Sequence, residues 1–222
     1  MLQIAELGIN HNGKFDRAVA MIEAAKRAGA DIAKFQYYDA AKLLGKDSPY
    51  YEYADACQFG KDVHEELKEI CDKIGIEYLV SVFDVKDIEW ADKLCKRHKI
   101  ASRMNQDTGF FDVLQATGKP LIMSVSSDAV MVPPNTDTMY CITKYPTPLE
   151  EMSALPCRKD LGLSSHCPSI APSLLAVARG SQILENHVTF DRNMSGCDQG
   201  SSITFEELAQ LVKLSKDIEV IR

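Results

Sequence analysis

The sequence is poor in the marks of several protein classes. It has no run of about 18 consecutive apolar residues, so no membrane-spanning helix is expected. It has no excess of basic charge. Its 25 Lys and Arg face 32 Asp and Glu, a formal net charge of -7, whereas a general nucleic-acid binder needs a basic face. The seven cysteines (57, 71, 95, 141, 157, 167 and 197) are odd in number, scattered and without a CxxC pair. That pattern predicts free thiols in a reducing cytoplasm and argues against a disulfide framework. The opening Met1–Glu6 lacks a basic stretch leading into an apolar one, so no signal peptide is expected. Internal repeats, low-complexity tracts and linkers are missing too, which favours one domain over residues 1–222. Histidine is scarce, with five in the chain.

What is present is ordinary for a globular chain: 45% apolar and 26% charged residues over a length that suits one large α/β domain or two small ones. Short apolar runs alternate with segments of helical periodicity. Strands are predicted at Leu2–Ile9, Asp31–Gln36, Glu77–Phe83, Lys99–Ser102, Leu121–Ser124, Thr138–Thr143, Leu161–Ser165 and Gln182–Val188. Helices are predicted after Phe15, over Val63–Ile74, Asp87–Arg97, Phe110–Thr117, Ser169–Gly180 and Phe205–Ile218. Residues from Asp39 to Gly60 read as a polar, aromatic loop. Eight continuous apolar runs alternating with helices predict a single α/β domain, a (β/α)8 TIM barrel, with a doubly wound sheet as the alternative. Only residues 126 to 137, which include Pro133-Pro134, join the fifth and sixth runs, so the fifth helix is expected to be missing or vestigial.

Two histidines close neighbouring strand runs: Leu161–Ser165 leads to His166, and Gln182–Val188 contains His187. A right-handed βαβ unit would set both at the same end of adjacent parallel strands. Two neutral imidazoles there suit a divalent metal, and two unrelated, hydrogen-bonded histidines are the other reading. In a barrel the active site lies where strands end. The polar residues at those ends are Glu6, Asn10, His11, Lys34, Gln36, Ser81, Asp84, Lys99, Ser102, Ser124, Thr143, Tyr145, Ser164, His166, Glu185, His187 and Asp198. Lys34 and Lys99 sit inside apolar runs, where a buried ammonium needs an anion. Lysines and serines converging there suit a phosphorylated, anionic substrate.

Six blocks then resemble the sialic acid synthase (N-acetylneuraminate synthase) family, in the family's order. They are Ile4–Gly13 (IAELGINHNG), Gly29–Gln36 (GADIAKFQ), Lys99–Ser102, Tyr145–Pro148 (YPTP), Gly162–His166 (GLSSH) and Glu185–Arg192 (ENHVTFDR). The resemblance implies a metal-assisted barrel enzyme that condenses phosphoenolpyruvate with an amino-sugar aldehyde such as N-acetylmannosamine. The product would be a 2-keto-3-deoxy sugar acid. Lys34, Ser81, Lys99, Ser102, Ser124 and Ser164 would cradle phosphoenolpyruvate. His166 and His187 would bind Mn2+ or Mg2+. Glu6 and Asp198 would be the catalytic carboxylates, with Glu185 orienting a metal ligand. Gln36, Arg103, Thr143 and Tyr145 would face the acceptor. A homodimer is a further expectation, with no nucleic-acid or membrane partner.

The blocks also depart from the family. Ser81-Val-Phe-Asp84 stands where Thr-Pro-Phe is usual, Arg103-Met104 where Gly and Glu reach the sugar, and Thr143 where Asn is common. The family's small C-terminal antifreeze-like domain is not among these 222 residues. Thus the phosphoenolpyruvate half of the site is expected to be retained and the acceptor half altered, with Arg103 hinting at an anionic acceptor. A related 3-deoxy sugar acid synthase and a non-catalytic ligand-binding barrel are the alternatives.

Overall fold

Apolar runs pair as strands and amphipathic segments pack over them in a computed structural model that describes residues 1–126, 131–156, 158–159 and 161–222. In chain order these are β1 (Leu2–Gly8), α1 (Phe15–Ala28), β2 (Ile32–Tyr37), α2 (Ala40–Leu44), α3 (Tyr51–Cys57) and α4 (Lys61–Ile74). There follow β3 (Glu77–Val82), α5 (Ile88–Leu94), β4 (His98–Ile100), α6 (Thr108–Ala116), β5 (Leu121–Val125) and β6 (Thr136–Tyr140). The chain continues through β7 (Leu161–Ser165), α7 (Ala171–Ala178), β8 (Ile183–Thr189), β9 (Ile203–Thr204) and α8 (Phe205–Ile221).

The strands are parallel and run β3-β2-β1-β8-β7-β6-β5-β4, with β3 and β4 lying against each other at the seam. This is a nearly closed (β/α)8 barrel, and it replaces the doubly wound alternative. Ile4, Ile32, Leu79, Ile122, Leu163 and Leu184 are fully buried. Each such side chain contributes about 1.5–3 kcal/mol. Helix ends follow local chemistry. Gly29 takes a left-handed φ of 91° and its N–H closes the last turn of α1 on Ala25 and Lys26. Thr204 and Glu207 form a capping box at the start of α8. No described helix is long and apolar enough to cross a membrane.

Four expectations need correction. The stretch from Asp39 to Gly60 is not a loop, because it folds into α2 and α3. Asp39 caps α2 by accepting from the Lys42 N–H, and Ala40, Ala54 and Cys57 join Ile9 and Tyr38 in a small core of their own. The sixth strand is Thr136–Tyr140, two to three residues earlier than predicted, because Leu121–Val125 pairs with Thr136–Tyr140. The third helix stops at Leu94, where Cys95 turns extended. A ninth strand, Ile203–Thr204, extends the pairing of β8. The expected lack of a fifth helix concerns residues 126–137. Among the described residues there, 126 and 131–137, none is helical, and residues 127–130 lie outside the described residues. Between β6 and β7 a 3-10 turn, Leu149–Ala154, stands in place of an α-helix.

Candidate active site

Strand register brings distant residues into one mouth. Glu6 pairs with Lys34 on one side and with His187 on the other. Gln36 pairs with Ser81, and Ser164 with Glu185. Glu6, Lys34, Ser81, Lys99, Ser124, Ser164, His166, Glu185 and His187 are all buried, although each is polar. Such burial demands partners.

The partners are mostly one another. Lys34 Nζ donates to Glu6 Oε2 at 2.6 Å and lies 3.4 Å from Glu185 Oε2. Gln36 Nε2 donates to Glu6 Oε1 at 2.7 Å. Lys99 Nζ donates to Ser124 Oγ at 2.8 Å and stands 3.7 Å from Glu185 Oε1, which accepts from Ser164 Oγ at 2.8 Å. The two lysines therefore differ. Burial opposes the charge of Lys34, but Glu185 and Glu6 outweigh it and hold its pKa above the ordinary value. Burial wins at Lys99, helped by the Lys34 charge, and its pKa is lowered despite Glu185. Burial also opposes the Glu185 carboxylate, yet Lys34 and Lys99 hold it ionised, well below the usual range. Lys99 is thus a buried cation short of negative charge, which is what an anionic substrate relieves. Ser81 Oγ, on the strand position paired with Gln36, is buried without a hydrogen-bond partner.

The His166 and His187 rings lie 5.2 Å apart, as the βαβ reading predicted. His166 Nδ1 is 2.6 Å from the Ile142 carbonyl, which can only accept, so Nδ1 carries the proton and Nε2 the lone pair. Burial and the neighbouring His187 lower its pKa to about 3, so the ring is neutral at physiological pH. His187 Nδ1 is buried with no hydrogen-bond partner, and Asp198 Oδ2 is 3.7 Å away. A neutral imidazole with an inward lone pair, beside an orphaned imidazole nitrogen and a carboxylate, is a donor set that fits a divalent cation. No cluster of three or more His, Cys, Asp or Glu is preassembled around a common centre among the described residues, so water or substrate would have to complete the shell.

The expected acceptor residues divide. Gln36 and Asp198 flank Gly8, where an added Cβ would sit 3.4 Å from Gln36 Nε2, 3.2 Å from Glu6 Oε1 and 3.6 Å from Asp198 Oδ2. Gly8 has a φ of 50° and follows a register shift in β1, so a small backbone step leaves a polar niche there. Tyr145 stacks on His166 and belongs to the site. Thr143 is exposed beyond β6. Arg103 is exposed and donates to the Leu43 carbonyl at 3.1 Å, so it ties α2 to the rim and does not reach into the mouth. Ser102 begins a 3-10 turn past β4, with its hydroxyl against Cys141.

Three strand-end candidates are structural. Asn10 donates to the Val188 carbonyl and to Ser202 Oγ, both at 2.9 Å, and latches the loop that carries Asp198. His11 stacks on Phe59 at 4.1 Å. Asp84 pairs with Lys42 and Lys86 outside the mouth. Sequence reading missed Gln199, fully buried and bonded to Asn10, Asn12 and Thr189, which anchors the same loop. Its only signal was position, one residue after Asp198.

The family model for the NeuB family matches residues 21–222. An uncharacterized protein of Methanocaldococcus jannaschii is 34% identical over 97% of the chain and 70% of its own length. The N-acetylneuraminate-9-phosphate synthase of Homo sapiens is 30% identical over 97% of the chain and 69% of its own length. The crystal structure of an N-acetylneuraminic acid synthetase from Leptospira borgpetersenii, in complex with citrate, superposes with a TM-score of 0.89 at 28% identity, covering 99% of this chain and 84% of that one. With nine-tenths of its length matched by the family model, the chain belongs to the NeuB family.

Proposed function

We propose that this chain condenses phosphoenolpyruvate with the open-chain aldehyde of an amino sugar, giving a 2-keto-3-deoxy sugar acid and phosphate. The observation that carries this reading is the buried group of Lys34, Lys99, Ser124, Ser164 and Glu185 within one mouth with the His166–His187 pair. The relatives named synthases of N-acetylneuraminate type support it.

Lys99 and Lys34 bind the phosphate and carboxylate of phosphoenolpyruvate, with Ser81, Ser124 and Ser164 as hydroxyl partners and Ser102 at the edge. His166 and His187 would hold Mn2+ or Mg2+, and that cation supplies Lewis acidity toward the acceptor carbonyl. Glu185 fixes both lysines and Ser164. The methylene carbon of phosphoenolpyruvate bonds to the aldehyde carbon, whose oxygen takes a proton. Water adds at the carbon bearing phosphate, and that C–O bond then breaks. Glu6 and Asp198 face the niche over Gly8, within reach of the water and hydroxyl protons. Gln36 and Tyr145 orient the acceptor. Arg103 and Thr143 stand outside the mouth, which favours an acceptor bound without their help over an anionic one held by Arg103. The setting we propose is the cytoplasm, where the six described cysteines, all free thiols, would stay reduced.

The test is phosphate release from phosphoenolpyruvate and Mn2+ with a panel of amino sugars and simple aldoses. Release is expected with an amino sugar. Release with aldoses alone would favour the related 3-deoxy sugar acid synthase. Phosphoenolpyruvate binding with no release for any acceptor would sink the enzyme reading in favour of a ligand-binding barrel.

A further inference from the structure

The lone pair of His166 is already in use. Tyr145 Oη lies 2.8 Å from His166 Nε2, and because that nitrogen carries no proton the phenol must donate to it. The phenol ring stacks on the imidazole at 4.0 Å and 28°, and stands edge-on to His187 at 5.8 Å. Yet Tyr145 is 47% exposed. Its segment lies beyond β6, where no strand pairing holds it. The Thr147 N–H holds the neighbouring backbone on the His166 carbonyl at 2.9 Å, and the phenol rests on the imidazole through its stacked ring and its hydroxyl. Across the gap, His187 Nδ1 has no hydrogen-bond partner at all. One histidine of the pair is masked and the other is bare.

We propose that Tyr145 is a placeholder on His166. Its hydroxyl occupies the ligand nitrogen until a divalent cation takes that position, and the freed hydroxyl then turns to the acceptor. Metal loading and acceptor seating are thereby coupled through one side chain. This rests on the metal and acceptor roles proposed above. No bond is made or broken beyond the hydrogen bond itself. The ring can swing outward because it is half exposed, while the Ile142 carbonyl keeps the imidazole in place.

The experiment titrates Mn2+ alone into the wild type and into Tyr145→Phe, with free Mn2+ read by electron paramagnetic resonance. A thermal melt confirms that both proteins are folded. The Phe variant keeps the ring and loses only the donor, so it should bind Mn2+ about two- to tenfold more tightly, the range set by one hydrogen bond that need not be broken. Adding Mn2+ to the wild type should also give a tyrosine ultraviolet difference spectrum that is lost in Tyr145→Phe. Equal or weaker Mn2+ binding by the variant, beside normal binding by the wild type, overturns the placeholder and leaves the metal site standing. Failure of the wild type to bind Mn2+ overturns the metal site and the placeholder together.

Discussion

Lys34 and Lys99 lie in the same cluster but leave different debts when removed. Lys34 touches two carboxylates, Glu6 at 2.6 Å and Glu185 at 3.4 Å. Lys34→Met would leave Glu6 in the interior with Gln36 but no cation, and Glu185 with only Ser164 and the more distant Lys99, and breaking a buried ion pair from one side costs about 3–5 kcal/mol. Lys99 meets Ser124 and stands 3.7 Å from Glu185, which keeps Lys34 as its partner. Lys99→Met removes a cation whose charge burial already disfavours, so its stability change should stay within about 1 kcal/mol. Both variants should lose phosphoenolpyruvate binding. Urea unfolding of the two, beside a phosphoenolpyruvate titration, checks this, and equal destabilisation would contradict the assignment of Lys34 as the structural partner. At this scale most of the mouth was readable from where apolar runs end: Glu6, Lys34, Lys99, Ser124, Ser164, His166 and His187 all close or interrupt such runs. Arg103 and Thr143 were not readable. They lie past the strands, where the direction of a side chain depends on a turn and on partners such as the Leu43 carbonyl.

Among the elements, β7 is closely seated between its two neighbours. A Cβ on Gly162 would come within 2.7 Å of the Ile183 carbonyl oxygen and 2.8 Å of Met139 Cγ, so β6, β7 and β8 close up only because that position has no side chain. Gly162→Ala must push β7 away from β8, an overpacking cost of about 1–3 kcal/mol. It should also displace Ser164, two residues on, and so raise the phosphoenolpyruvate KM. An unchanged melting temperature with unchanged KM would show that β8 yields freely there. Strand existence was legible because both faces are buried and the runs are continuously apolar. The helices α2 and α3 were not. They are short, and their stability comes from packing Ala40, Ala54 and Cys57 on Ile9 and Tyr38 across the chain. The two-residue β9 carries no periodic signal and exists only because Val188 and Thr189 offer it an edge.

Away from His166 and His187 three histidines are buried, and two of them, His11 and His64, pack around Phe35 and Phe59. Burial, first of all, lowers the pKa of His11 to about 4 and of His64 to about 3, each from 6.5. The unfolded chain therefore binds more protons than the folded one below pH 6.5. Stability should be fully present above that value and fall as the pH drops toward 4 and 3, by about 2 kcal/mol per histidine at pH 5. Urea midpoints at pH 7.5 and pH 5 measure it, and a metal-free protein equally stable at both would refute it. The barrel itself follows from local rules: alternation of apolar runs and helices, right-handed crossovers and burial on both faces leave few other closures.

The (β/α)8 class, the family and most of the polar residues at strand ends were legible in the residues alone, since these depend on period, order and local composition. Which charges neutralise one another, which histidine nitrogen keeps its lone pair and which rim residues face away emerged from the packed fold. Those outcomes turn on ångström-scale approach between side chains far apart in the chain, where burial makes each missing partner costly and no local pattern records the pairing.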